Sequence, residues 1–124
     1  MTTTYTQSLA DFIDGYIHCA LESSVAYSGQ ALADNFTVAD IDPDTYGQMV
    51  ADCKRFYDAN VALFGEANAN VAGDDFWSSR QGHGNGFDTN EIWEPHIREH
   101  LEKLAGLHPS FTLFDGGDGV LHSR

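Results

Sequence analysis

The stretch Arg80-Gln-Gly-His-Gly-Asn-Gly-Phe-Asp88 concentrates the side chains best suited to chemistry. Glycines at alternate positions (82, 84 and 86) free the backbone to take positive φ and to approach a ligand closely. His83 would then project from the loop, with Arg80 and Asp88 at its two bases. In a catalytic reading His83 is the general acid or base and Asp88 the carboxylate that orients it. Arg80 would hold the anion of a nucleotide or phosphoester. A nucleophile is harder to find, because Ser78 and Ser79 precede the loop without the turn pattern that exposes a reactive serine. The glycines match neither the dinucleotide fingerprint nor the phosphate-binding loop. The competing reading is a tight hairpin in which His83 satisfies backbone groups.

Metal chemistry has less to build on. His96 and His100 are four apart, so a helix would place them on one face. No His-Glu-x-x-His and no Cys-x-x-Cys accompanies them. Cys19 and Cys53 fall on or beside apolar stripes, where reduced, buried thiols are expected. Asp115-Gly-Gly-Asp-Gly119 has the acids and glycines of a calcium loop, but a glycine-rich turn accounts for them. Neither a metal nor a cofactor is therefore expected.

Charge is the most informative feature. The chain carries 19 acids against 6 Lys and Arg, a formal net charge of -13. Residues 1–53 hold Asp11, Asp14, Glu22, Asp34, Asp40, Asp42, Asp44 and Asp52, with Lys54 as the first base. Such a surface repels nucleic acid and anionic lipid, which excludes direct binding to DNA, RNA or membranes as the default. Solubility is one account of the acids. The sharper account is that carboxylates recurring near one-turn spacing, as Asp11, Asp14 and Glu22 do, imitate phosphates and enter the basic groove of a nucleic-acid-binding protein. The acids, with Arg80 and His83, are the candidate binding residues, and a protein with a basic surface is the expected partner.

These side chains need a scaffold, and 124 residues provide one domain, residues 1–124. With 42% hydrophobic residues, 8 Phe, 5 Tyr and 2 Trp, a real core can form. No apolar run reaches the length of a membrane span, and residues 1–11 show no secretion signal. Leu9, Phe12, Ile13, Tyr16, Ile17, Ala20 and Leu21 form a helical stripe, predicting a helix over 8–23 capped by Ser8 and Asp11. Residues 24–41 read as a loop anchored by Tyr27, Leu32 and Phe36. Asp42-Pro43 opens a second helix to residue 64, stopped by Gly65, with Tyr46, Met49, Val50, Cys53, Phe56 and Tyr57 on one face. Residues 75–80 alternate and read as a strand that returns around Phe87. Trp93, Ile97, Leu101 and Leu104 mark a third helix, with Pro95 in its first turn and Gly106 at its end. Residues 111–122 read as a hairpin. The expected fold class is α+β, about three helices packed on a small antiparallel sheet of hairpins. Leu9, Phe12, Tyr16, Val50, Cys53, Phe56, Phe76, Trp93, Ile97 and Leu101 should share one core.

Three stretches carry a resemblance: 35–43, Met49-Val-Ala-Asp-Cys53 with Phe56, Asp58, Ala59 and Asn60, and Gly73–Asp88 with its Phe-Trp-x-x-Arg-x-Gly-His-Gly-x-Gly-Phe string. On these the chain resembles a family of small acidic proteins encoded by tailed bacteriophages. The family pattern places Trp after Phe87 and His before Phe76; here Asp88 and Asp75 stand there. The resemblance implies an accessory protein of the infected cell's cytoplasm that inhibits a host nucleic-acid-handling or defence protein, as anti-CRISPR and anti-restriction inhibitors do. The alternatives are a small enzyme using the His83 loop and a component of virion assembly.

Overall fold

Thr6 opens the first helix, α1 (Gln7–Ser23), by accepting the Leu9 N–H on its hydroxyl at 3.1 Å. The computed structural model describes residues 6–25, 29–82 and 86–123. The expected cap at Ser8 is displaced by two residues because Ser8 is committed elsewhere. Its hydroxyl donates to the Glu66 carbonyl and accepts from the Tyr57 hydroxyl at 2.8 Å. Every residue of the predicted apolar stripe is buried. Among residues 24–41, Leu32, which opens a 3-10 turn at Leu32–Asp34, is a buried anchor, and Phe36, between that turn and a second at Val38–Asp40, a half-buried one. Tyr27 lies outside the described residues.

Helix α2 (Pro43–Phe64) begins and ends where its signals place it. The Asp42 carboxylate accepts the Thr45 N–H at 3.1 Å, proline occupies the first turn, and Gly65 leaves the helix at φ +83°. Helix α4 (Pro95–Gly106) also starts at its proline; Trp93 stands before it, and Gly106 is its last residue.

The strand expected over 75–80 is helical instead, the second half of α3 (Ala69–Arg80). Asp75, Phe76, Trp77, Ser78, Ser79 and Arg80 are all buried. A segment covered on every side carries no polar face, so its short polar–apolar alternation does not report an exposed strand. The true spacing is Ala69, Ala72, Gly73, Phe76 and Arg80, an i, i+3, i+4, i+7, i+11 stripe. The return around Phe87 is a 3-10 turn, Phe87–Thr89. The C-terminal hairpin is as read: β1 (Leu113–Asp115) pairs antiparallel with β2 (Leu121–Ser123), Phe114 opposite His122. Asp42 donates its N–H to the Leu121 carbonyl at 2.8 Å, fastening β2 to the start of α2. Among the described residues the protein is thus α+β with four α-helices and one two-stranded antiparallel sheet. None of those helices is long and apolar enough to cross a membrane.

α1 packs chiefly on α3, and two glycines set how closely. A Cβ at Gly15 would lie 2.0 Å from the Asn70 carbonyl oxygen, and one at Gly73 1.9 Å from that of Phe12. Backbone meets backbone there, and the amide of Asn70 donates to the Asp11 carbonyl at 3.1 Å. Beside this crossing Phe12 sits among Phe56, Phe64, Phe76 and Tyr57, and Phe56 stacks on Phe76 with centroids 4.2 Å apart. The predicted core residues belong to this one cluster, with Val50 and Ile97 half-buried at its margin.

Candidate functional site

Arg80 ends α3 with its side chain turned into the protein, 4% exposed. Its Nη1 donates to Asp52 Oδ2 and to the Tyr16 hydroxyl, both at 2.9 Å, and its Nε to the Pro109 carbonyl at 3.0 Å. The guanidinium also lies 5.3 Å from the Phe111 ring centroid and 5.7 Å from that of Phe76. Burial works against its charge, but the Tyr16 oxygen and Asp52 outweigh that and hold the group more firmly protonated. Burial pushes the Tyr16 phenol up, so it stays a neutral partner. Two residues proposed for function are therefore corrected. Arg80 offers no anion site at the loop, and Asp52, buried between Arg80 and Arg55, belongs to no acidic surface.

The described residues on either side of that loop are held by other contacts. Ser79, 2% exposed, donates its hydroxyl to Glu102 on α4 and accepts the Phe87 N–H at 2.9 Å. Gly86 passes so close that a Cβ there would meet the Ser79 Oγ at 2.0 Å. Asp75 accepts the Trp93 indole N–H at 2.7 Å and the Asn90 amide at 2.8 Å, and burial raises its carboxyl above the usual range. The fold thus explains Gly86 without a ligand. His83 lies outside the described residues. Asp88 is exposed in its 3-10 turn, whereas Arg80 is buried, so these two proposed catalytic residues are not brought together.

His96 and His100 are exposed on α4, with His96 3.7 Å from Glu94. Among the described residues no group of three or more His, Cys, Asp or Glu is placed to hold a metal ion. Cys19 and Cys53 are free thiols. Burial pushes Cys19 up to about 11, against the Ser78 hydroxyl 3.5 Å away, and pushes Cys53 well above its ordinary value.

The remaining acids divide by what their oxygens already do. Asp40 accepts the Thr37 N–H at 2.8 Å, Asp42 caps α2, and half-buried Asp11 accepts the Gln7 amide at 2.9 Å. Asp14, Glu22, Asp34 and Asp44 are exposed. Asp14 and Glu22 stand on the same face of α1 and border a groove of about 450 Å³ between α1, the 33–38 connection and the start of α2. Its apolar walls are Ile17, Leu21, Phe36, Val38 and Tyr46. Tyr46, which the spacing places on the apolar face of α2, is 38% exposed, and Val38 is 47% exposed. The sequence carries no signal for this groove, because its walls come from three segments and the α1 residues Ile17 and Leu21 are distant on the chain from Phe36, Val38 and Tyr46. Compared with known proteins, the chain matches no family model, no curated protein and no solved structure.

Proposed function

We propose that the protein works by binding: it docks its acidic face on a basic surface of a host protein that handles nucleic acid or defends the cell, and so inhibits it. The reading places it in the host cytoplasm as an accessory protein of a bacteriophage, with no cofactor and no chemistry of its own. The observation that carries it is the exposed set Asp14, Glu22, Asp34 and Asp44, in a stretch with no Lys or Arg before Lys54. The first two bases are already occupied, Lys54 by Asp58 at 2.6 Å and Arg55 by Asp52. Carboxylates without counter-charges steer a cationic partner into contact and make its binding salt-sensitive. Asp14 and Glu22 are eight residues apart, about 12 Å along the helix, a span that a basic groove built for a phosphate backbone can bridge. The test is affinity capture from a bacterial host lysate in the presence and absence of duplex DNA. A captured nucleic-acid-handling protein that duplex DNA displaces supports the reading. Captured proteins that DNA leaves in place refute the mimicry.

A further inference from the structure

We infer that the groove between α1 and the 33–38 connection seats a basic amphipathic helix of the partner protein, its apolar side chains inside and its Lys or Arg side chains on Asp14 and Glu22. The inference rests on the acidic-face reading and names the element that this face receives. Four observations carry it. The groove walls are apolar, with Val38 and Tyr46 exposed at their edge, so a charged strand of phosphates is not what they fit. The polar groups on the rim are Asp14, Glu22 and Thr37, with His18 3.6 Å from Glu22, and among the described residues no Lys or Arg lines it. A second copy of this chain would bring a further net charge of -13 to an already acidic rim, which disfavours self-docking. Among the described residues the groove is bounded by α1, the start of α2 and an irregular connection, with no strand at its edge, so a peptide does not enter by strand addition; a helix presenting i, i+3, i+4 and i+7 anchors fits it.

Fluorescence titration of the intact protein tests this with three synthetic peptides as probes. One is a Leu/Lys peptide with an amphipathic helical pattern, one has the same residues scrambled so that no apolar face forms, and one is patterned Leu/Gln without charge. The patterned Leu/Lys peptide should bind most tightly. Val38→Ser with Tyr46→Ser, both on the surface and checked for fold by circular dichroism, should weaken it by about tenfold, as expected for lost apolar contact. The scrambled peptide should not notice that change. Asp14→Lys with Glu22→Lys should weaken both charged peptides. Equal binding of the patterned and scrambled peptides, unaffected by the groove variant but sensitive to the charge reversal, overturns the groove assignment and leaves the acidic-face reading standing. Indifference of both charged peptides to the charge reversal overturns both. Leu/Gln binding as tight as Leu/Lys binding assigns the groove to an uncharged partner and overturns the inference, as does self-association through Val38 and Tyr46.

Discussion

Replacing Asp52 by alanine should be among the most damaging single changes in the protein. Asp52 and Arg80 are 5% and 4% exposed at the side chain, with Oδ2 and Nη1 2.9 Å apart. Without the carboxylate the guanidinium remains buried among neutral partners, the Tyr16 hydroxyl, the Pro109 carbonyl and the Phe76 and Phe111 rings. Removing one member of a buried ion pair costs about 3–5 kcal/mol, mostly because the other charge is left uncompensated. For 124 residues, with an unfolding entropy of roughly 2.1 cal/mol/K per residue, that loss lowers Tm by about 12–19 °C. Arg55, the other partner of Asp52, is 66% exposed at the side chain. Arg55→Ala should therefore stay within about 1 kcal/mol of wild type. The sharper control is the double variant Asp52→Leu with Arg80→Met, which removes both charges and should recover most of the loss. Urea unfolding of the four proteins measures this. An Asp52→Ala cost near that of Arg55→Ala, or a double variant no more stable than Asp52→Ala, would refute the assignment of Arg80 to the core.

Gly73→Ala should destabilise despite alanine's better helix propensity, since its Cβ would meet the Phe12 carbonyl oxygen at 1.9 Å; thermal melting should show a loss of at least about 1–3 kcal/mol, the usual range for overpacking. Asp75 is an acid whose folded pKa is raised, so the folded state keeps a proton that the unfolded chain releases near pH 3.9, and stability falls as pH rises from there through the raised value. Asp75→Asn should flatten that fall in urea unfolding measured across the acidic range while retaining an acceptor for the Trp93 indole; an unchanged pH slope would contradict it. With Cys53 buried and Cys19 pushed up to about 11, both thiols should react with a maleimide at neutral pH far more slowly than free cysteine, and the native mass should show no two-hydrogen loss.

Much of the fold was legible because its signals were local. Asp42-Pro43 and Gly65 mark the ends of α2 by chemistry that needs no tertiary contact, and α1 exposes one face so its stripe is visible. The second half of α3 reads as a strand because residues 75–80 are all buried, with Asp75, Ser78, Ser79 and Arg80 bonded there. Among the described residues no buried side-chain nitrogen or oxygen lacks a partner, so those polar residues cost the core nothing that sequence hydrophobicity would reveal. The acids were visible as charges, but not which were spent. Asp52 and Asp14 look alike in the sequence, and only the approach of Arg80 from α3 separates a core ion from a surface one. Gly15 looks like a helix defect until α3 is seen pressing Asn70 against it.

The central claim is that exposed carboxylates on α1 and at the start of α2 drive the encounter with a basic partner. It is tested most directly by surface plasmon resonance on the captured partner over a salt series, comparing wild type with Asp14→Lys, Glu22→Lys and Asp44→Lys combined. The triple variant should show a slower kon, a koff changed much less, and a flatter dependence of affinity on salt. Wild-type kon and wild-type salt dependence in the triple variant would contradict it.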